Sequence, residues 1–199
     1  MDSANHTYQF IAGNLALDFV NTVAYRANPA KRADRLQRAE DVSRWASQAR
    51  LPELAAMKSG PRVGASGLGR IRTVREHLFE IFGAVAGGDP IPPEALVRVG
   101  DAFNECCAKR RLSVDQDVVR WTWRANARSA DYLLHPILSA AIELLTSDSL
   151  GSVRLCEDAT CGWLFLDRSN ARKRRWCSMA DCGNRNKVRN YYKREAGLS

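Results

Sequence analysis

The sequence predicts an α+β protein: a mainly helical N-terminal domain with a small β-hairpin, and a compact C-terminal module built around four cysteines. Three observations predict this fold class. Apolar residues recur at helical spacing before residue 146, β-branched and aromatic residues alternate over 112–124, and two short cysteine pairs follow residue 155. We therefore place a helical domain at residues 1–150 and the cysteine module at residues 151–199.

Composition agrees with one or two folded domains. The chain has 199 residues, of which 45% are hydrophobic, and this is enough apolar side chain for a buried core. No apolar run approaches the roughly 20 residues that cross a bilayer, and no basic-then-apolar leader opens the chain. We expect a soluble cytoplasmic protein without a membrane partner.

Helices are predicted from apolar spacing and from the residues that begin and end helices. The predicted helices cover residues 13–25, 40–50, 71–85, 93–109 and 129–146. Gly87-Gly88 ends the third, Pro92-Pro93 opens the fourth, and Pro136 predicts a kink or a break in the last. A basic polar stretch over 26–38 and a Gly/Ser-rich stretch over 58–69 lie between them, and the second predicts a loop.

The first predicted helix carries a polar face beside its apolar one. The polar residues at helical spacing are Asn14, Asp18, Asn21 and Tyr25. If this face lines a cleft, it is a ligand site; if it faces water, it is an ordinary solvated face. Spacing does not decide between the two.

A hairpin is predicted where two strands, 112–114 and 118–124, follow each other. Trp121 and Trp123 alternate on one face of the second strand, which predicts core or hairpin packing, with an aromatic ligand wall as the alternative. The adjacent Cys106 and Cys107 lie in a predicted helix, where we expect buried, inert thiols.

The four remaining cysteines predict a metal site. Cys156 and Cys161 are separated by four residues, as are Cys177 and Cys182, and fifteen residues lie between the pairs. Each pair can supply two thiolates to one tetrahedral Zn²⁺. Disulfides are the alternative, but a chain without a leader keeps its thiols reduced in the cytosol.

The elements around the cysteines predict a treble-clef finger. Strands are expected at 153–155 and 163–167, followed by a basic loop and a helix over 178–195. Ser178 and Asp181 resemble a capping box, which places the last ligand in the first turn of that helix. The apolar residues here, such as Trp163, Phe165, Val188 and Tyr191, are too few for an independent core, so we expect zinc to supply much of the folding free energy.

The cysteine module is cationic. From Ser152 onward it holds 11 Lys/Arg and 5 Asp/Glu, and four thiolates with one Zn²⁺ would leave it near +4. DNA affinity is dominated by Lys and Arg contacts to phosphate, and Arg and Asn also read base edges. The predicted DNA-contacting residues are Arg172, Lys173, Arg174, Arg175, Arg185, Lys187, Arg189, Asn190, Lys193 and Arg194.

Other roles for these charges stay open at this point. The surface could contact RNA or a protein, or some arginines could balance the thiolate charge. Arg185 lies three residues after Cys182 on the same predicted helix. It could therefore bond a thiolate or a carbonyl inside the module as readily as a phosphate.

Two regions of the chain resemble known families. Cys161-Gly-Trp-Leu-Phe-Leu-Asp-Arg-Ser169, Arg174-Arg-Trp-Cys-Ser-Met179 and Cys182-Gly-Asn-Arg185 resemble the CGNR zinc finger, and Leu15-Ala-Leu-Asp-Phe-Val-Asn-Thr22 resembles the opening of the ABATE domain. The resemblance covers nearly the whole chain and implies a bacterial, stress-responsive transcription regulator. It also implies zinc ligation by all four cysteines.

An enzyme is not indicated. His6, His77 and His135 belong to no metal or nucleophile motif, and the Gly-rich stretch 64–69 lacks the residues of a phosphate loop. A zinc ion closed by four thiolates has no position for an activated water. We expect the N-terminal domain to bind a small effector, to form a homodimer, or both.

Overall fold

The computed structural model describes residues 7–51, 63–127 and 129–195 and confirms the α+β class. His6 and the first part of the predicted 58–69 loop lie outside the described residues. The described helices are α1 (Leu15–Val20), α2 (Ala39–Gln48), α3 (Ala65–Gly87), α4 (Pro93–Ala108), α5 (Ser129–Leu145) and α6 (Asn184–Glu195). None of them is both long enough and apolar enough to span a membrane.

The described strands form antiparallel pairs in the segments between the helices. They are β1 (Val23–Ala24) with β2 (Ala33–Asp34), β3 (Arg110–Asp115) with β4 (Val118–Trp123), and β5 (Val153–Leu155) with β6 (Leu164–Leu166). The predicted β3–β4 hairpin and the strand at 153–155 are confirmed. The strand predicted at 163–167 is present as the shorter β6.

Helix α3 lies at the centre of the fold and packs against α1, α4, α5 and β5. Its inward face is Ile71, Val74, Leu78, Ile81 and Phe82, all buried. Gly88 ends the helix in the left-handed conformation, with φ of 77°, as the Gly87-Gly88 signal predicts. The prediction at Pro136 was a kink or a break, and α5 continues through this residue without a break.

The loop predicted over 58–69 is wrong from Ala65 onward, where α3 begins. Each glycine costs about 1 kcal/mol relative to alanine in a helix, which is why the Gly/Ser content indicated a loop. Tertiary packing outweighs that cost here. A Cβ on Gly67 would lie 3.1 Å from Val63 and 3.5 Å from Ala130, so the absence of a side chain lets these segments approach.

The first helix is shorter than predicted, because α1 ends at Val20. Val23 and Ala24 instead form β1 and pair with Asp34 and Ala33, inside the basic stretch 26–38. Tyr25 then takes a φ of 53°, which turns the chain away from any helical path. Tyr25 therefore does not share a helical face with Asn14 and Asp18, and that prediction is wrong.

The burial of the hairpin tryptophans and of the two adjacent cysteines differs in part from the prediction. Trp123 packs against Tyr132 with ring centroids 4.4 Å apart, as expected for hairpin packing. Trp121, however, is 59% exposed, so it is not a core residue. Cys106 is buried as predicted, and burial raises its thiol pKa to about 11. Cys107 was also predicted to be buried, but it is exposed.

The C-terminal module shares the hydrophobic core of the N-terminal helices. Leu164 and Phe165 on β6 are fully buried in the same cluster as Phe19, Ile71 and Leu78. Val188 and Tyr191, which were expected to help bury the module, are each 55% exposed. The apolar surface that the short module lacks is thus supplied by the helices.

Asn21 joins the two parts of the chain. Its amide nitrogen donates to the Leu164 carbonyl at 2.8 Å, and its side-chain oxygen accepts from the Leu164 N–H at 3.0 Å. Asn21 is 3% exposed, so it satisfies two backbone groups of β6 away from water. Leu166 extends the contact by donating its N–H to the Ala12 carbonyl at 2.8 Å.

Replacing Asn21 by alanine should lower the free energy of unfolding by about 2–4 kcal/mol, because two buried backbone groups lose their partners. Chemical denaturation of the zinc-loaded protein measures this. Asn28→Ala is the matched control, since the Asn28 side chain only caps an exposed turn at Ala30. Equal losses in the two variants would contradict the bridging role of Asn21.

Candidate metal centre and basic surface

The four predicted ligands come together at one point. The Sγ atoms of Cys156, Cys161, Cys177 and Cys182 all lie within 4.8 Å of one another, and all four residues are buried. Cys177 Sγ is 3.7 Å from Cys161 Sγ and 3.6 Å from Cys182 Sγ. A Zn–S bond of 2.3 Å gives tetrahedron edges of about 3.8 Å. The sulfur atoms therefore fit one zinc ion, which binds here as the cofactor.

The first pair of ligands is held by a turn between β5 and β6. Cys156 donates its N–H to the Trp163 carbonyl at 2.8 Å, which continues the strand pairing up to the ligand. Gly162, directly after Cys161, has a φ of 67°. A Cβ at Gly162 would lie 2.9 Å from the Ala27 nitrogen, because the chain after β1 packs against this turn.

The second pair of ligands flanks a helical start. Ser178 is the N-cap, and its hydroxyl accepts from the Asp181 N–H at 3.1 Å, as the predicted capping pattern requires. A π-helical turn over Met179–Gly183 carries Cys182 and leads into α6. The order of strand pair, loop and helix is the one that was predicted, while the treble-clef assignment itself stays a prediction.

Hydrogen bonds among the sulfurs separate their proton affinities. Bonds from the Cys161 and Cys177 thiols lower the pKa of Cys156, and the Cys177 N–H also points at the Cys156 sulfur, at 3.5 Å. The hydrogen bond between Cys156 and Cys161 raises the pKa of Cys161. The four sulfurs therefore titrate as one coupled cluster, and a metal ion that binds them replaces their protons.

Asp158 ties the metal turn to α6, and sequence reasoning missed it. Its carboxylate is buried and accepts from the Thr160 N–H and hydroxyl, at 3.0 and 2.7 Å. It also contacts Arg185 Nε at 3.3 Å and Arg189 Nη2 at 3.9 Å. Burial alone would raise the Asp158 pKa, but the Thr160 and Arg185 bonds outweigh burial and lower it. The Asp-x-Thr spacing, typical of a side-chain-stabilised turn, is the signal that could have found it.

Arg185 acts inside the module. Its Nη2 donates to the Cys182 sulfur at 2.9 Å, in addition to the contact with Asp158. The pKa of Arg185 is raised. Burial alone would lower it, but the negative charges of Cys182 and Asp158 outweigh the effect of burial. Of the two roles left open by the sequence, the structure thus contains the thiolate contact, which orients a ligand and balances its charge.

The basic loop is organised by Asp167. The Asp167 carboxylate accepts from the Ser169 hydroxyl at 2.6 Å and from the Arg174 N–H at 2.9 Å, and the Ser169 bond lowers its pKa. The exposed Arg174 side chain then folds along its own loop and donates to the carbonyls of Trp176 and Cys177. Arg175 pairs with Glu157 at 2.5 Å. Both side chains therefore support the metal loop.

The other predicted cations face solvent. Arg172, Lys173, Lys187 and Lys193 are exposed and form no hydrogen bond or ion pair through their side chains in the described part of the chain. Arg194 is exposed and contacts only the Asn190 carbonyl, one turn back on α6. α6 buries none of its residues. It presents Lys187, Asn190 and Arg194 on one side, away from the side that holds Asp158.

The polar face proposed on the first helix is used by the fold, apart from Tyr25. Asn14 caps α1, and Asp18 accepts from the Ala12 N–H at 2.9 Å. Burial raises the pKa of Asp18 to about 6. Asn21 holds Leu164, and Tyr25 lies beside Arg185, whose guanidinium is 5.9 Å from the Tyr25 ring centre. Ligand binding by this set stays a prediction.

Comparison with known families gives one match in the N-terminal part of the chain and one in the cysteine module. Residues 13–148 match the ABATE family, described as "Putative stress-induced transcription regulator". The chain belongs to this family. Residues 152–195 match the CGNR zinc finger, and the ABATE–CGNR architecture that the motifs indicate is confirmed. A comparison with curated proteins finds no match.

The ABATE–CGNR chain should carry one Zn²⁺, and its removal should destabilise the protein by an amount on the order of 10 kcal/mol, less any binding to the unfolded chain. Metal analysis and denaturation with and without a chelator measure this. Cys177→Ser should lose the metal, while Cys107→Ser, an exposed thiol outside the cluster, should keep it. A full zinc content in Cys177→Ser would contradict the four-thiolate site.

Gly162→Ala should lower stability by at least about 2 kcal/mol and speed zinc release to a chromogenic chelator, because it adds left-handed strain and a clash beside Cys161. Gly88→Ala separates the two causes. Gly88 also has a positive φ, of 77°, but no atom lies within 4 Å of its added Cβ. Gly88→Ala should therefore cost only about 1 kcal/mol and leave zinc release unchanged. Equal zinc-release rates in the two variants would refute the close approach at Gly162.

Proposed function

We propose that this protein is a zinc-dependent DNA-binding transcription regulator, in which the C-terminal finger contacts DNA. The observation that carries the proposal is a set of unpaired cations on a module held rigid by the metal. The protein family supports a regulatory role, and the zinc finger supports binding to nucleic acid. The closed, four-thiolate site supports a structural zinc rather than a catalytic one.

The residues that we propose to contact DNA are fewer than the basic residues that the sequence pattern indicated. Arg174, Arg175, Arg185 and Arg189 have partners inside the module. The phosphate contacts are therefore assigned to Arg172 and Lys173 in the loop and to Lys187, Lys193 and Arg194 on α6. We propose that Asn190, which is exposed between Lys187 and Arg194, reads a base edge.

The shape of α6 favours duplex DNA among the anionic partners. The helix buries none of its residues and projects cations and an asparagine from one side. A single exposed helix fits the DNA major groove, whereas the deep, narrow major groove of duplex RNA excludes side chains. The alternative is an RNA- or protein-binding module in which zinc is purely structural. The N-terminal domain, residues 1–150, is assigned ligand sensing or dimerisation.

Fluorescence anisotropy of labelled duplex DNA, titrated with zinc-loaded protein across a salt series, tests this proposal. We expect affinity to fall steeply with salt, at about 0.9 log units per log unit of salt for each phosphate contact. Lys187→Gln/Lys193→Gln should bind roughly tenfold more weakly at low salt and lower the slope by about 2.

The matched control removes two exposed cations elsewhere. Lys31→Gln/Arg98→Gln changes the net charge equally but leaves the finger intact, and both residues are exposed without side-chain partners in the described ranges. It should bind DNA as the wild type does. Equal weakening in the two double variants would indicate unspecific charge attraction. No binding at low salt, or stronger binding to single-stranded RNA of the same sequence, would overturn the DNA proposal.

A further inference from the structure

A cleft of about 160 Å³ lies where the turn after β1 meets the metal centre. Ala24, Tyr25 and Arg35 line it from the N-terminal side. Trp163, Arg185 and the cysteines at 161, 177 and 182 line it from the finger. The cleft is therefore built by both family regions and reaches the metal ligands.

Arg35 is the unusual group in this cleft. Neighbouring buried arginines are paired: Arg26 contacts Glu76 at 2.7 Å, and Arg75 contacts Asp34 at 2.7 Å. The Arg35 guanidinium, in contrast, forms no hydrogen bond or ion pair with any described residue. Burial lowers the pKa of Arg35, since desolvation disfavours its charge. A half-buried guanidinium without a direct ion-pair partner can receive a carboxylate through two parallel N–H donors.

The metal ligands do not supply that counter-charge through a direct bond. The Cys182 sulfur accepts from Arg185, and the described hydrogen bonds of the cluster include none from Arg35. Arg185 is further engaged by Asp158, so its charge is already balanced. Asp181, also at the cleft, bonds Ser178. Arg35 is thus the cation left to receive a ligand.

The remaining walls indicate what kind of anion fits. Trp163 lies under Arg35, with the guanidinium 5.8 Å from the ring centre, and its indole N–H donates to the Val23 carbonyl at 3.0 Å. Trp163 therefore presents a fixed aromatic face, with Ala24 and Tyr25 near it. An apolar cavity of about 150 Å³ accepts benzene, so this cleft has room for one ring and a small substituent.

We propose that this cleft binds a small planar organic acid, with its carboxylate on the Arg35 guanidinium and its apolar body against Trp163 and Tyr25. Arginine matches a carboxylate with two parallel N–H donors. The aromatic and apolar side chains of Trp163, Tyr25 and Ala24 favour an organic acid over inorganic phosphate. The site differs from the polar face first proposed on α1, whose Asn14, Asp18 and Asn21 are engaged in the fold.

The cleft also offers a route from ligand to finger. The ligand would touch the turn after β1 and the cysteine module together, so its binding favours one arrangement of the two. That consequence rests on the proposed DNA-binding function: a bound acid then shifts DNA affinity by the ratio of its affinities for the two arrangements. Binding of the acid itself does not depend on DNA.

Isothermal titration calorimetry of the zinc-loaded full chain with benzoate tests the proposal, with benzamide and inorganic phosphate as comparison ligands. Benzoate should bind in the millimolar range or tighter, and more tightly than either comparison ligand. Arg35→Gln should weaken benzoate binding at least tenfold, and Arg35→Lys should weaken it less, because charge is kept but the bidentate contact is lost. Lys31→Gln, an exposed cation on the β1–β2 connection four residues before Arg35, should bind as the wild type does.

Zinc content is measured in every variant. Absence of benzoate binding by the zinc-loaded wild type would overturn the proposal, as would unchanged benzoate affinity in Arg35→Gln. Loss of zinc from Arg35→Gln, together with no benzoate binding by the wild type, would identify Arg35 as a counter-charge for the thiolates. Because calorimetry is run without DNA, benzoate binding with failed DNA binding would overturn only the proposed function.

Discussion

The structure depends on β6 being held by the N-terminal helices. This three-residue strand has one strand partner, β5, and its other edge is satisfied by Asn21 and by the Ala12 carbonyl. Its side chains enter the core beneath α1 and α3. Without these contacts, Leu164 and Phe165 would expose apolar surface that the cysteine module alone cannot cover. Burial of β6 and the geometry of the metal turn therefore depend on each other, because Cys161 is followed by only Gly162 and Trp163 before the strand begins.

Zinc and the core divide the stabilisation between them. The four thiolates close the two cysteine turns around a metal, and Asp158 and Arg185 carry that order into α6. α6 buries none of its residues, so it is positioned by its first turn and by the Asp158 contacts rather than by a hydrophobic face. This explains how a helix with a strongly polar sequence can remain ordered. It also leaves most of the surface of α6 available for a partner.

Charge in the module serves two separate purposes. The arginines nearest the metal have partners within the module, where they contact sulfur, Asp158, Glu157 or loop carbonyls. The cations farther along the loop and helix have no internal partner among the described residues. A count of positive residues therefore overstates the surface that a nucleic acid could use. The cleft at Arg35 adds a third case, a cation that the fold half buries without pairing.

Local sequence determined the features that depend on neighbours along the chain. Ligand spacing identified Cys156, Cys161, Cys177 and Cys182, and alternation identified the β3–β4 hairpin. Local signals also located the C-terminal end of α3 at Gly88 and the helical start after Ser178, because each signal acts within a few residues. Tertiary structure decided the rest. Asn21 bonds a residue 143 positions away, and that contact, with the β1–β2 pairing, ended α1 early and separated Tyr25 from its predicted face. Arg35 and Trp163 meet only in the folded chain. No local pattern encodes such partners, since they are set by which distant backbone and side-chain groups must be satisfied once the core is buried.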